Sequence, residues 1–155
     1  MSVQKLAVIG GGQMGRALVG GIVASKVISA SQVVLVEPDT TSRQWWTDNH
    51  PSVSFAELAS AVAQCDAVLL AVKPNILLEV IDEVRSAWQD KLVISIAAGI
   101  GLDDLSHGLG HSKVARVMPN TPSLVRQGAS GYCCGSEVSA EDRSWIQSVL
   151  ESVGL

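Results

Sequence analysis

The chain has 155 residues, a formal net charge of −4 and an apolar fraction of 47%. This is the size of one domain with a substantial hydrophobic core, and the apolar fraction excludes a disordered chain. Its basic residues form no cluster larger than isolated pairs, which argues against nucleic-acid binding. No apolar run approaches the length of a membrane span or a signal-peptide core. We therefore expect a cytoplasmic protein with neither a nucleic acid nor a membrane as its partner.

Apolar runs alternate with helical patterns along most of the chain. A helical pattern follows each run except the last, and the helix that Pro74 opens is expected to continue to Trp88. This order predicts right-handed crossovers and a parallel sheet. The runs predicted as buried strands are 5–9, 32–37, 67–72, 92–97 and 113–118, with a short extended piece at 52–54.

The pattern changes after Pro122. Residues 128–135 are predicted as a strand with no helix before it, which indicates an antiparallel strand at the edge of the sheet. A last helix follows, and Ser139 and Asp142 have the spacing of a capping box at its start. The predicted fold class is α/β: a Rossmann-type, doubly wound, mostly parallel sheet with an antiparallel edge near the C-terminus, formed by one domain over residues 1–155.

The strongest functional motif joins the first predicted strand to the first helix. Gly10, Gly12 and Gly15 match G-x-G-x-x-G, and Gly11 adds a further glycine. The first motif glycine allows a tight turn, the second lets the backbone approach a pyrophosphate, and the third permits close packing of helix on strand. Free N–H groups at the helix start bind the phosphates. Strand, turn and amphipathic helix are the context that this motif requires, so we predict a dinucleotide site at Gly10, Gly11, Gly12, Gln13, Met14 and Gly15.

The end of the second predicted strand bears on the choice of coenzyme. Glu37 lies where an acidic residue accepts hydrogen bonds from the adenosine ribose, and a carboxylate there repels a 2′-phosphate. This favours NAD over NADP. Arg43 and the hydroxyl groups of residues 40–42 are candidate phosphate contacts, so NADP remains open. A purely structural alternative is that Glu37 caps the turn before Pro38.

Three other strand ends, at residues 71–74, 97–99 and 118–122, carry unusual sequences. Because ligands of an open parallel sheet lie beyond the carboxyl ends of its strands, we expect these segments to converge on one site. The small side chains of 97–99 allow a ring or ribose to lie close to the backbone. Asn120 and Thr121 are suited to hydrogen-bond a carboxamide. Lys73 is suited to contact a ribose. Taken alone it better fits a solvated lysine at a helix start, and the convergence of three such loops on one sheet edge favours the ribose contact.

Four segments, taken in this order and spacing, resemble one family. They are Ile-Gly-Gly-Gly-Gln-Met-Gly at 9–15, Ala-Val-Lys-Pro at 71–74, Ser-Ile-Ala-Ala-Gly at 95–99 and Arg-Val-Met-Pro-Asn-Thr-Pro at 116–122. Essentially the whole chain is similar to the N-terminal domain of pyrroline-5-carboxylate reductase, the last enzyme of proline biosynthesis. The glycine turn is shared by many dehydrogenases, whereas its combination with the Met-Pro-Asn-Thr-Pro loop is specific.

The resemblance implies hydride transfer from NAD(P)H to the C=N bond of 1-pyrroline-5-carboxylate, giving L-proline, with catalysis by positioning and no catalytic nucleophile. It places the adenosine near Glu37 and Asp39, although many members of the family carry a small hydroxyl residue where this chain has Glu37. It lines the nicotinamide side with Ala71, Val72, Lys73, Pro74, Ala97, Ala98, Gly99, Asn120 and Thr121.

The family's helical C-terminal domain, which binds the small imine substrate and forms the dimer, has no counterpart in this sequence. We therefore expect a cofactor-binding domain with little or no reductase activity alone, from a full-length protein that is a homo-oligomer. Two alternatives share the dinucleotide site. One is the first domain of a β-hydroxyacid dehydrogenase, which the Met-Pro-Asn-Thr-Pro loop disfavours, and the other is a stand-alone NAD(P)-binding regulatory module.

The histidines, the tryptophan pair and the cysteines are predicted to have structural and not functional roles. His107 and His111 have the spacing of two metal ligands, but glycines interrupt the helix there and no further ligands complete a site, so we predict surface histidines and no metal. Of Trp45 and Trp46, one is expected to pack inward and the other to be half-exposed. The cysteines are predicted as reduced thiols packed as small apolar groups: Cys65, Cys133 and Cys134.

Overall fold

The computed structural model describes residues 3–154, and its strands form one seven-stranded sheet with helices on both faces. The strands are β1 (Leu6–Ile9), β2 (Val33–Val36), β3 (Ser54–Phe55), β4 (Ala67–Leu70), β5 (Leu92–Ser95), β6 (Val114–Met118) and β7 (Gly131–Cys134). The helices are α1 (Gln13–Ala24), α2 (Thr40–Asn49), α3 (Leu58–Gln64), α4 (Pro74–Glu83), α5 (Leu102–Leu109) and α6 (Ala140–Glu151). None of these described helices has the length and apolarity needed to span a bilayer.

The strand order is β3-β2-β1-β4-β5-β6-β7, and every neighbouring pair is parallel except the antiparallel pair β6–β7. The predicted fold class, including its antiparallel edge, is confirmed. After β3 the chain returns to the other side of β1, so the direction of winding reverses between β1 and β4. Ligands of open parallel sheets bind at such a switch point, outside the carboxyl ends of the strands.

The strands are buried between two layers of helices. Leu6 and Val8 of β1 belong to the core shared with α1, α2 and α6, whereas Ala7 and Ile9 belong to the core shared with α3, α4 and α5. Successive side chains of a strand point to opposite faces, which produces this division. All residues of β1, β4 and β5 are buried. Burial on both faces explains why these strands are nearly continuous apolar runs.

The structure confirms the predicted start of α6 but not the predicted end of α4. The capping box of α6 is confirmed: the hydroxyl of Ser139 accepts from the N–H of Asp142 at 3.0 Å, and the Asp142 carboxylate accepts from the N–H of Ser139 at 3.1 Å. The prediction of a continuous helix from Pro74 to Trp88 is wrong. The helix ends at Glu83, and a 3₁₀ turn at Arg85–Ala87 follows.

Several predicted strands are also too long. β4 ends at Leu70 rather than residue 72, β5 at Ser95 rather than residue 97, and β7 covers Gly131–Cys134 rather than 128–135. Residues just beyond a buried strand keep its apolar character while the chain already turns into the loop. Hydropathy alone therefore overestimates the strand at the edge where ligands bind.

Candidate functional site

The glycine turn between β1 and α1 lies at the switch point of the sheet. The N–H of Gly10 donates to the carbonyl of Val36 at 3.0 Å, and the N–H of Ala71 donates to the carbonyl of Ile9 at 2.8 Å. Gly10 has φ +100°, and a Cβ there would lie 2.6 Å from the carbonyl oxygen of Ala71. Glycine is required on both counts, since L side chains disfavour this φ and the neighbouring backbone leaves no room. Gly10 thus makes the tight turn, as predicted.

Gly15 and Gly12 have opposite surroundings. A Cβ on Gly15 would lie 2.6 Å from the carbonyl oxygen of Gly10, so this glycine lets α1 pack against the turn. A Cβ on Gly12 would have no atom within 4 Å, and Gly12 is exposed. The protein's own packing therefore does not require a glycine at Gly12. It borders open space in front of the first turn of α1, where N–H groups lack helical partners and an anion such as a pyrophosphate fits.

The additional glycine of the turn, Gly11, is buried, and its carbonyl oxygen accepts three hydrogen bonds. The donors are Nε of Arg16 at 3.1 Å, Oγ of Ser42 at 3.0 Å and Nε1 of Trp46 at 3.0 Å. A Cβ on Gly11 would lie 2.5 Å from Nε1 of Trp46, which explains the additional glycine. The sequence did not reveal this set of donors. Its only local signals were that glycine and a tryptophan pair in an otherwise polar helix.

The end of β2 carries the residues predicted for the adenosine side. Glu37 is half-buried directly after the strand. The carboxylate of Asp39 accepts from the N–H of Ser42 at 2.7 Å and thereby caps α2. The carboxylate that caps this helix is therefore that of Asp39 and not that of Glu37. The guanidinium of Arg43 lies 4.6 Å from the centroid of the Phe55 ring.

The other predicted site segments lie beyond the carboxyl ends of β4, β5 and β6, at the same edge as the glycine turn. Their side chains differ in exposure. Half-buried or buried are Ala71, Val72 and Ala97, whereas Lys73, Pro74, Ala98, Gly99, Asn120 and Thr121 are exposed, as are Gln13 and, in part, Met14 of the glycine turn. Lys73 is the N-cap of α4, and Pro74 is its first residue.

Asn120 already has a structural partner. Its Oδ1 accepts from the N–H of Ala129 at 3.1 Å, which ties the loop after β6 to the segment before β7. Its Nδ2 is the atom that remains suited to a ligand. Thr121 begins a 3₁₀ turn, Thr121–Val125, in which Pro122 is an early residue.

Two candidate metal ligands lie apart from this site. His107 is exposed on α5, whereas His111 is half-buried, with Nε2 2.8 Å from the carbonyl of Trp88 and Nδ1 accepting from the N–H of Lys113 at 3.1 Å. His111 is therefore not the free surface residue that was predicted. Within residues 3–154, no three His, Cys, Asp or Glu side chains are placed to hold a metal ion.

The cysteines differ from one another in exposure. Cys65 is buried, and burial raises the pKa of its thiol to about 11, which disfavours the reactive thiolate. Burial also raises the pKa of the half-buried Cys134. Cys133 is exposed, so the prediction of a packed thiol is wrong there. Successive residues of the edge strand β7 face opposite ways, and the side chain of Cys133 points outward.

Comparisons with known proteins place this arrangement in context. A family model described as NADP oxidoreductase coenzyme F420-dependent matches residues 5–99. The pyrroline-5-carboxylate reductase of Escherichia coli (strain K12) is 37% identical over 154 residues, which cover 97% of this chain and 57% of that protein.

Two solved structures are similar over 100% of the chain, each at 28% identity. A pyrroline-5-carboxylate reductase from Coxiella burnetii has a TM-score of 0.91 and is covered over 58% of its length. A Plasmodium falciparum pyrroline carboxylate reductase with NADP bound has a TM-score of 0.85 and is covered over 57% of its length. The chain thus spans little more than half the length of these relatives.

Proposed function

This chain belongs to the family described as NADP oxidoreductase coenzyme F420-dependent, and from that premise we propose that residues 1–155 form the NAD(P)-binding domain of a pyrroline-5-carboxylate reductase. The predicted resemblance to the N-terminal domain of these reductases is confirmed by 37% identity across nearly the whole chain. The observation that carries the proposal is the open space at Gly12. It lies in front of the free N–H groups of α1, at the switch point of a parallel sheet.

The chain's own residues bind and orient the cofactor, which when bound supplies a hydride. Backbone N–H groups at the start of α1 bind the pyrophosphate, and the ends of β4, β5 and β6 surround the nicotinamide. The small residues of 97–99 leave the backbone accessible to a ring. The proposed cofactor contacts are Gly10, Gly11, Gly12, Gln13, Met14, Gly15, Glu37, Asp39, Ala71, Val72, Lys73, Pro74, Ala97, Ala98, Gly99, Asn120 and Thr121.

For the whole protein, the proposed reaction is reduction of the C=N bond of 1-pyrroline-5-carboxylate to L-proline in the cytoplasm. No residue of this chain is assigned a nucleophilic role, since orientation of hydride donor and imine carbon is sufficient for catalysis. The relatives exceed this chain in length, and a helical domain for the substrate and for homo-oligomer formation is part of the proposal. Residues 1–155 alone are then expected to bind the dinucleotide with little turnover.

The experiment that tests this assignment is titration of the chain with NADH and NADPH, followed by nucleotide fluorescence. We expect saturable binding of at least one of them. Binding of neither would overturn the proposal. The reaction is tested on the full-length protein, by consumption of reduced cofactor with 1-pyrroline-5-carboxylate. Tight dinucleotide binding without any such turnover would favour a regulatory module instead.

Between the two coenzymes, we propose a preference for NAD(H). Glu37 is half-buried at the end of β2, where a carboxylate accepts from ribose hydroxyls and repels a 2′-phosphate. Two groups suited to bind that phosphate have other partners: the Ser42 hydroxyl donates to Gly11, and the Arg43 guanidinium lies over Phe55.

The substitution Glu37→Ser tests this preference. Removing the like charge is expected to shift the ratio of the NADPH and NADH dissociation constants toward NADPH by about tenfold, or about 1.4 kcal/mol. The control is Glu83→Ser, which removes the same charge from the exposed end of α4. A ratio that stays constant in Glu37→Ser, or that moves equally in both variants, would contradict the role of Glu37.

A further inference from the structure

We propose that Trp46 is a positioning residue for the phosphate-binding turn. In this inference, which rests on the proposed function, its indole N–H and the donors of Ser42 and Arg16 hold the peptide unit between Gly11 and Gly12. The N–H of that unit then faces the pyrophosphate. The inference assigns a role in cofactor binding to helix α2, which contributes no residue to the glycine motif.

Three donors contact the Gly11 carbonyl oxygen, two of them in buried hydrogen bonds and one in a partly buried one. Trp46 has no exposed surface, and its Nε1 donates over 3.0 Å; Ser42 is 8% exposed, and its Oγ donates over 3.0 Å. The third donor, Nε of Arg16 at 3.1 Å, belongs to a guanidinium that also donates to Oγ of Ser42 at 3.2 Å. Three donors around an oxygen with two lone pairs leave this carbonyl little freedom to rotate.

The direction of the carbonyl determines the direction of the adjacent N–H. In a trans peptide the C=O and N–H bonds of one planar unit point opposite ways. The Gly11 carbonyl points toward α2, so the N–H of Gly12 points away from it. A Cβ of Gly12 would meet nothing within 4 Å, so the space beside this residue is open to a ligand. Donors on the oxygen also polarise the peptide unit and strengthen its N–H as a donor to an anion.

Two further contacts keep the donors in place. The carboxylate of Asp39 accepts from the N–H of Ser42 at 2.7 Å, which fixes the start of α2. The guanidinium of Arg16 lies 4.2 Å from the centroid of the Trp45 ring, a cation–π contact. Asp39 thus supports the site through Ser42, whatever it contributes to the ribose. The phosphate turn and the segment that follows Glu37 therefore form one hydrogen-bonded unit.

The chain contains a matched control for this inference. Trp88 also has no exposed surface, and its indole N–H also donates to a backbone carbonyl, that of Ile81 at 2.8 Å, in the core on the other face of the sheet. Trp46→Phe and Trp88→Phe therefore remove the same group from equally buried positions. We expect similar losses of thermal stability in both variants. Only Trp46→Phe should weaken NADH binding, by about threefold to tenfold.

The probe ligands separate this role from coenzyme choice. Because the effect acts on the pyrophosphate, Trp46→Phe should weaken NADH, NADPH and ADP-ribose by the same factor. The ratio of NADH to NADPH affinity should stay constant. Ser42→Ala removes a second donor from the same oxygen and should produce the same pattern. A spectroscopic measurement adds a direct readout: the ¹H–¹⁵N resonance of the Gly12 amide should shift in ligand-free Trp46→Phe and stay in place in Trp88→Phe.

The outcomes are distinguishable. A wild-type chain that binds none of the three ligands overturns the proposed function and this inference with it. A wild-type chain that binds them, with Trp46→Phe binding equally well, overturns only the positioning role. Equal weakening in Trp46→Phe and Trp88→Phe also overturns it, because the loss then follows from general destabilisation. Weaker binding in Trp46→Phe than in Trp88→Phe, together with the shifted Gly12 resonance, supports it.

Discussion

Two regions of this molecule that border the candidate site differ in how far their own contacts hold them in place. The phosphate region, residues 6–49, holds its turn with donors from its own helices, two of them buried and one partly buried, as the contacts to Gly11 show. The C-terminal edge, residues 114–134, exposes large apolar side chains instead. Their exposed fractions are 45% for Met118, 42% for Leu124, 71% for Val125 and 42% for Tyr132.

The difference indicates which part of the site this chain completes. In the phosphate region, the glycines, their neighbours and the capped helix α2 determine the backbone directions without further partners. At the C-terminal edge, Asn120 and Thr121 are exposed beside an apolar surface. Among the described residues there, the buried hydroxyl of Ser123 lacks a hydrogen-bond partner. Binding of the pyrophosphate is therefore expected to be a property of this chain, whereas the nicotinamide side is less completely formed.

The largest expected effect comes from Gly12→Val. A Cβ there would meet no atom within 4 Å, and the branched side chain of valine would occupy the approach of the pyrophosphate. We expect NADH affinity to fall by at least about a hundredfold. The free energy of unfolding should change by only about 1 kcal/mol, since glycine is a better N-cap than valine. Fluorescence titration and thermal melting measure the two quantities. Unchanged affinity would remove the basis for treating the phosphate region as a binding site.

Gly15→Ala, in the same turn, is expected to reduce stability directly, whereas Gly12→Val mainly reduces affinity. Its Cβ would lie 2.6 Å from the carbonyl oxygen of Gly10, so α1 must shift from the turn. We expect a loss of about 2 kcal/mol in unfolding free energy, measured with urea. The control is Gly20→Ala on the same helix, where a Cβ meets nothing within 4 Å and helix propensity favours alanine by up to about 1 kcal/mol. Equal stability of the two variants would contradict the close packing.

The sequence revealed the parts of this site that depend on local pattern. Strand, glycine turn and helix are contiguous, so spacing alone located Gly10, Gly12 and Gly15. The contact from Trp46 to Gly11 joins residues 35 positions apart, and no local period encodes it. The sequence did predict that one of Trp45 and Trp46 packs inward, and Trp46 is the buried one. It did not predict that the buried indole N–H would donate to the turn.

The wrong predictions about the fold also arise from contacts that the local sequence pattern does not encode. Trp88 continues the apolar stripe of α4, so periodicity extended the helix to it, but the chain passes through a 3₁₀ turn first. The tertiary hydrogen bond from Trp88 to Ile81 stabilises that arrangement. Cys133 lies in an apolar run, yet the edge strand has one open face. The sequence predicted the edge position of this strand, but its apolar run does not show which side chains the edge leaves uncovered.

Asn120→Ala tests how firmly the loop after β6 is held at the C-terminal edge. It removes the acceptor for the N–H of Ala129, a bond of 3.1 Å that joins the two sides of this loop. We expect a local loss of about 1 kcal/mol, seen as roughly fivefold faster hydrogen exchange at the Ala129 amide. Asn120→Asp retains an acceptor at this position and serves as the control. Exchange that is equally fast in wild type and Asn120→Ala would show that the bond contributes nothing.

A smaller effect is expected from Val125→Ser. Val125 is 71% exposed, so its replacement should change the unfolding free energy by no more than about 0.5 kcal/mol. Val117→Ser, at a fully buried position of β6, should cost at least about 2 kcal/mol. Urea unfolding of both variants measures the contrast. A large loss in Val125→Ser would mean that the C-terminal edge is packed rather than exposed.

The smallest expected effect is a change in thermal stability with pH. Next to the C-terminal edge, just before β6 and just after β7, the N–H and hydroxyl of Ser112 donate to the carboxylate of Glu137 and hold its pKa below the usual range. Because the folded-state pKa lies below the unfolded one, the stabilisation is complete above the unfolded pKa and is lost as pH falls through the folded one. The hydrogen bonds to the Gly11 carbonyl oxygen, from an indole, a hydroxyl and a guanidinium, include no carboxylate.

Thermal melting of wild type and Glu137→Gln between neutral and acidic pH tests this contrast. The wild type should be the more stable protein at neutral pH. The difference between the two midpoints should narrow as the pH falls below the ordinary range of a glutamate. Ser112→Ala removes the hydroxyl donor and leaves the backbone N–H donor. The difference between its melting midpoint and that of wild type should therefore also narrow as the pH falls. A midpoint difference that stays constant across this range would show that ionised Glu137 does not stabilise the C-terminal edge.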